Sequence, residues 1–501
     1  MIPSPGDGWS RLSPRKLLLD PVKVLRQALV PIFVAAIGVS RSDMQFWPLL
    51  LPLAIIAPVV LGGIPWLTTH YRLTDTQVQV RRGLLNKSMS TAPLDRVRSV
   101  DLEASLLHRI LGLQKVQIGT GVDDDRIELD ALVTDDAQAL RTTLLRRRAG
   151  TEQPVAEAGE VATPLDQNEI EPDSELLAAI NWSWLRFAPF SLTRLVLVAG
   201  AVGVFSQFAD DLPIWNEDTV TSVWDWVRQF ALLAVTAVLL IGGLATWVLI
   251  AVTGYVIQWW NFRLVREQGG FNLSMGLFTT RSITVEEAKV RGVELTEPVL
   301  LRAVGGAELS TLATGVEDGV TAVLPPCPRD VAVSVGEAVL AGSGPLTEPL
   351  VAHGPVARRR AWLRQVRAWL VLPVAVAVAV WWFDQSWWWP VAVTAAALAL
   401  AALVGESSYR HLGHHLVGDH LIAGSGALTR VRTVLETDGI IGWVLRQSWW
   451  QRRVGLTDLV ATTAAGAERV LVRDVRLDAA VALADAATPG LLTAFVDQQQ
   501  P

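Results

Sequence analysis

The chain has 501 residues, 51% of them hydrophobic and only 18% charged, with a net charge of −6. Soluble domains carry roughly 25% charged residues, so this composition excludes a disordered chain and disfavours a wholly soluble enzyme. The acidic balance gives nucleic acid nothing to bind, and one cysteine, Cys327, excludes a disulfide framework or a multi-cysteine metal site.

A membrane-spanning helix needs about 20 apolar residues. Segments 24–40, 46–67, 187–207, 229–257, 366–383 and 387–404 meet or approach that length. They predict six transmembrane α-helices in three pairs. In chain order, residues 1–67 hold an N-terminal segment and the first pair, and 68–148 a first polar domain. Residues 149–180 form an acidic, proline-broken flexible linker without Lys or Arg. Then come a second pair at 181–257, a second domain at 258–345, a linker and third pair at 346–404, and a third domain at 405–495. Arg11, Arg15 and Lys16 precede the first pair, and Arg358, Arg359 and Arg360 precede the third. The connector at 208–228 carries Asp210, Asp211, Glu217, Asp218 and Asp225. Lys/Arg bias of this kind puts both termini and all three domains in the cytoplasm. The spans hold almost no ionisable residue, which disfavours a proton-coupled path.

The three domains are copies of one unit. Gly83-Leu84-Leu85, Gly276-Leu277-Phe278 and Gly426-Ala427-Leu428 each precede, by 29 residues, a glycine at Gly112, Gly305 or Gly455. Arg109, Arg302 and Arg452 each stand three residues before that second glycine. Alternation in Thr76–Arg82 and Val116–Gly119 is strand-like. The first glycine sits at a hairpin, and the Leu-Leu-x-Arg block predicts a helical turn capped by the second. The stretch Asp135–Leu145 predicts a closing helix.

At these residues the chain resembles the bacterial pleckstrin-homology-like (PH-like) membrane-flanked domain family. Its triple arrangement is similar to that of YdbT-type membrane proteins. The resemblance implies that each pair of membrane helices is followed by a PH-like β-barrel or bent-sheet domain with a C-terminal helix. It also implies the bacterial cytoplasmic membrane, no catalytic residues, and a link to envelope stress or antimicrobial resistance.

Four histidines, His411, His414, His415 and His420, fall within ten residues. If the last span ran on as a helix, His411 and His415 would share a face, the spacing of a two-histidine metal site. A polar turn at the membrane surface explains them more simply, and no cofactor is expected. Arg81, Arg82, Lys87, Arg96 and Arg98 form a basic group suited to lipid headgroups or a partner. Trp449 and Trp450 replace Leu106 and Leu107 of the first copy, as a core plug or a contact surface. Cys327 lies in a proline-rich stretch that reads as a loop. No nucleophile–base motif accompanies any of these. The expectation is a non-enzymatic membrane scaffold contacting membrane lipids and another membrane protein, such as a shorter member of the same family, and not nucleic acid. The competing expectation is a lipid-handling or transport component built on the helix bundle.

Overall fold

A computed structural model describes residues 8–20, 22, 66–74, 76–83, 87–93, 99–119, 127–149, 174–191, 232–267, 269–314, 320–340, 342, 344–383 and 386–491. The chain divides into two units: Met1–Leu176 with Asn261–Glu286 and Gly315–Glu317, and Leu177–Trp260 with Glu287–Thr314 and Asp318–Pro501.

In the first unit, copy one opens with a short strand, β1 (Ser10–Arg11). β1 pairs with β2 (His70–Leu73), and β3 (Gln77–Arg82) and β4 (Ser88–Pro93) complete a four-stranded sheet. β5 (Ser99–Ser105), the one-turn helix α1 (Leu106–Ile110), β6 (Leu113–Gly119) and β7 (Ile127–Val133) follow, closed by α2 (Thr134–Ala149). Val78, Val80, Val100, Val116, Ile118, Leu129 and Leu140 point between the sheets and helix as a dry core. Their period of two along each strand is what places them together.

Copies two and three repeat this order. Copy two contributes β8 (Glu175–Ala179), a long helix α3 (Leu232–Trp259), β9 (Arg263–Glu267), β10 (Gly270–Met275) and β11 (Thr279–Glu286). It continues with β12 (Val290–Pro298), α4 (Val299–Ala303), β13 (Gly306–Ala313), β14 (Val320–Pro328) and α5 (Arg329–Val339). Copy three contributes β15 (Val351–Ala352), helices α6 (Gly354–Trp369), α7 (Val371–Trp382) and α8 (Trp388–Arg410), then β16 (Gly413–Val417), β17 (His420–Ser425) and β18 (Thr429–Glu436). It ends with β19 (Ile440–Arg446), α9 (Trp449–Arg453), β20 (Leu456–Thr463), β21 (Arg469–Arg476) and α10 (Leu477–Ala487). Copy two is shared: β9–β11 belong to the first unit and β12–β14 to the second.

The copies are not separate sheets. β5 of copy one pairs with β11 of copy two, giving a seven-stranded sheet in the order β7-β6-β5-β11-β10-β9-β8. β12 of copy two pairs with β18 of copy three, giving a second one, β14-β13-β12-β18-β17-β16-β15. Each hairpin turns on its glycine. Gly276 and Gly426 have φ of 113° and 99°, and a Cβ there would overlap the carbonyl oxygen of Thr279 or Thr429.

The expectation of six membrane helices in three pairs is corrected. Among the described residues three helices are long and apolar enough to cross a bilayer: Ile241–Trp259, Gly354–Trp382 and Trp388–Arg410. Only the last two form a pair, and the domains described are rich in sheet, with 21 strands in four sheets among the described residues. Apolar length shows that a segment can leave water, not that it is a regular helix. Segment 187–207 begins in a 3-10 helix, Trp182–Phe190, that buries Trp184 and Phe187 in protein. The remainder of that segment, segment 24–40 and nearly all of 46–67 lie outside the described residues. Two smaller readings also change. The end of the acidic stretch is strand β8, and Cys327 is in strand β14 rather than a loop.

Candidate functional site

Each copy carries its pre-membrane segment on one corner, where the one-turn helix meets the strand after it. In copy one, Leu19 packs on Leu113 and Ala131. In copy three, Ala357 of α6 packs on Leu456 and Leu412. In copy two the equivalent of Leu113 and Leu456 is Gly306, and Phe187 fills the space. A Cβ at Gly306 would lie 2.7 Å from Phe187. In copies two and three a large side chain faces a small one, Phe187 against Gly306 and Leu456 against Ala357, whereas in copy one Leu19 faces Leu113.

Two of the corners carry a polar brace. In copy three, Asp474 is fully buried at φ 51°. It forms ion pairs with Arg360 and, at 3.0 Å, with Arg364, both on α6. Gln451 donates to Asp474 at 3.1 Å and to Asp458 at 2.8 Å. Gln451 and Ser448 also form a reciprocal capping box at the start of α9. In copy one, the Ser105 hydroxyl lies 2.6 Å from His108 Nδ1, His108 Nε2 lies 3.0 Å from Asp130, and Lys16 lies 3.7 Å from Asp130. In outline this is a hydroxyl–imidazole–carboxylate relay. It serves as a brace: Ser105 is the N-cap of α1, and copy three builds the same network with Gln451, an amide that cannot act as a base. Beside it a cavity of about 240 Å³, lined by Glu103, Ser105, Lys115 and Thr279, is smaller than the usual range for ligand sites.

The α6–α8 hairpin has a polarity. Its base holds Arg358, Arg360 and Arg364, and Glu406 of α8 accepts from Arg358, Arg410 and Trp362 at 2.9–3.2 Å. Its tip exposes Trp381, Trp382, Phe383, Trp387, Trp388 and Trp389. The uncharged residues 388–405 of α8 span about 27 Å at 1.5 Å per residue, close to the hydrocarbon thickness of a bilayer. Aromatic rings at one end and arginines at the other suit the two membrane interfaces.

A family model described as "Bacterial PH domain" matches residues 29–148, 181–336 and 363–488. The chain belongs to the bacterial PH domain family. It is also similar to the UPF0699 transmembrane protein YdbT of Bacillus subtilis (strain 168), with 21% identity across 93% of this chain and 95% of that protein. No solved structure matches it. The three matched stretches are the three copies. The chain is therefore a membrane protein with repeated bacterial PH domains.

The sequence-predicted site residues scatter over these PH domains. Arg81 and Lys87 are exposed beside the β3–β4 turn, Arg82 donates to the Glu128 carbonyl, and Arg96 and Arg98 lie outside the described residues. His70 pairs with Arg81, so Arg81 lies level with the start of β2. Arg360, one of the arginines that precede the third pair, is committed to Asp474. Trp449 and Trp450 are half exposed, stacked edge to face, and capped by Arg453 and Arg367 respectively. They are a surface and not a core plug. Gly83, Gly112, Gly305 and Gly455 take positive φ, as turns and caps require.

The histidines do not converge. α8 ends at Arg410, so His411 caps it while His414 and His415 fall on opposite faces of β16. His411 meets the Ser407 carbonyl, His415 the Pro349 carbonyl and His414 the His353 ring, and His420 is on β17. No group of three His, Cys, Asp or Glu among the described residues could hold a metal ion. The pair His353–His414, 2.8 Å apart, is the feature missed in the sequence. Burial lowers both pKa values, His414 to about 4, with His353 and His415 adding to that shift. An unfolded imidazole takes up its proton near 6.5. The unfolded state therefore binds more protons between about 6.5 and 4, and stability is lost as pH falls through that window. The melting temperature of PH domain three is expected to drop there, and His414→Gln is expected to flatten the profile. An unchanged profile would show that the pair titrates normally. Cys327 is buried, and burial pushes its thiol up to about 12, with Glu308 adding to this.

Asp474, Arg360, Arg364 and Phe187 were also invisible as a site. One signal was available. Alignment of the copies on their second glycine puts His108, Leu301 and Gln451 in one column, and polar residues in two of three mark the braced corners.

Proposed function

We propose that this chain is a non-enzymatic membrane scaffold that presents its PH domains along the cytoplasmic face, in contact with membrane lipids and a partner membrane protein. The observation that carries this reading is the pairing of β5 with β11 and of β12 with β18. Sheets that run from one copy into the next make a connected row instead of independent headgroup readers. The Asp474 clamp supports it too, since it ties PH domain three to the base of its helices. A link to envelope stress belongs to the same reading.

Orientation is tested by labelling. With a membrane-impermeant maleimide on intact spheroplasts, Ser386→Cys at the aromatic tip is expected to react. Arg453→Cys is expected to react only after permeabilisation, and the reverse pattern would invert the assignment. Proteoliposomes are expected to scramble fluorescent lipid no faster than empty vesicles. Faster scrambling would favour lipid handling over scaffolding.

A further inference from the structure

The two joints between copies follow one rule. In the first, Thr279, three residues after Gly276, lies opposite Ser105, seven residues before Gly112. In the second, Thr429, three residues after Gly426, lies opposite Pro298, seven residues before Gly305. The offsets are identical. The first joint adds a contact from the one-turn helix to the neighbouring hairpin tip: Arg109 donates to the Leu277 carbonyl at 3.0 Å.

Two halves of such a joint are left over. β4 ends its sheet, paired on one side by β3, and β19 ends its sheet, paired on one side by β20. β4 occupies the position of β11 and β18 in its copy, and β19 that of β5 and β12. Edge protection stays at the strand ends, with Pro93 closing β4, and on β19 a bulge between Ile440 and Gly442 and a charge at Arg446; Ser88–Ala92 and Trp443–Leu445 between them carry neither charge nor bulge. Met89 is 57% exposed on β4, and Leu445 is 46% exposed on β19 with Ile441 and Val444 beside it. Trp449 and Trp450 sit where a neighbouring hairpin tip would land, and Arg452, the counterpart of Arg109, is exposed next to them. α9 is held against the base of α6 through Arg360–Ser448 and Arg367–Trp450.

We infer that β19 of one chain docks β4 of a second copy of this chain, head to tail. The shared offset places Met89 opposite Leu445 and Thr91 opposite Trp443. The contact is heterologous, so it propagates unless it closes into a ring. It rests on the two joints and is independent of the scaffold reading.

Directly opposed residues in an antiparallel pair lie about 4.5–5.5 Å apart at Cα, within disulfide reach. Two differently tagged full-length chains, one Met89→Cys and one Leu445→Cys, are co-expressed and oxidised in native membranes, with buried Cys327 silent. A mixed-tag disulfide dimer is expected. Pairing Met89→Cys with Ile441→Cys, four residues or about 13 Å out of register, is expected to give at least tenfold less. Absence of the mixed dimer, or equal yields in both registers, would overturn the inference. So would a Met89→Cys/Leu445→Cys chain that crosslinks only within itself, or capture of a different protein by Leu445→Cys alone. Separately, Leu445→Lys is expected to reduce the mass in nanodiscs from two or more copies to one without changing the melting temperature. An unchanged mass would also overturn it.

Discussion

Asp474→Asn is expected to release PH domain three from its membrane helices. The substitution keeps the shape, the Gln451 contact and the positive φ, which Asn tolerates. It removes only the charge that Arg360 and Arg364 face. Breaking a buried ion pair from one side costs about 3–5 kcal/mol because the remaining charge is orphaned. Both guanidiniums keep some contact with water, which places the loss near the lower end, about 3 kcal/mol. Thermal unfolding in detergent reads the loss, and proteolysis in β21 and α10 is expected to accelerate. Arg360→Gln and Arg364→Gln added to Asp474→Asn are expected to recover part of the stability, since no orphaned cation is left. Melting identical to the wild type would show that the clamp contributes nothing.

The second large effect is expected at Gly292, inside the joint between copies two and three. A Cβ there would overlap the carbonyl oxygen of Val434 on β18. Gly292 faces Leu435 on β18, and on its other side, against β13, β12 carries a bulge between Val290 and Gly292. Gly292→Val cannot be relieved by a rotamer change, because the obstacle is backbone. Overpacking of this kind costs about 1–3 kcal/mol even in side-chain cores, and more is expected here. Hydrogen exchange is the suitable probe. Amides of β12 and β18 are expected to lose protection while those of β5 and β11 keep theirs. Retained protection across β12 and β18 would mean that the strands slide to accommodate the side chain.

The contrast between these two sites shows what the sequence could disclose. The glycine hairpins and the one-turn helices were legible because each is local: a residue that must take φ > 0 and its neighbours say so directly. The joints were not. Thr279, Thr280, Arg281 and Ser282 read as a solvent-facing strand, and nothing in their spacing names Leu102–Ser105 as the other edge. The first strands were equally silent, since β1 and β15 have two residues each and no periodicity to detect. The start of segment 187–207 was misread because Phe favours a membrane and a protein interior alike. Phe187 became intelligible only with Gly306 beside it. The brace at Ser105, His108 and Asp130 joins residues 22 positions apart and needed the fold to appear.

The strand that opens each copy imposes an order on biosynthesis. β1 is made long before β2, β8 before β9 and β15 before β16, and in each case a long apolar stretch of chain emerges between them. At a bacterial ribosome's rate of about 5–20 residues per second, β1 waits several seconds for the 58 residues that separate Arg11 from His70. Its sheet cannot be completed until β2 has come back within reach of it. The delay acts as a checkpoint: a nascent chain that does not return leaves a four-stranded sheet one strand short and exposes it to quality control.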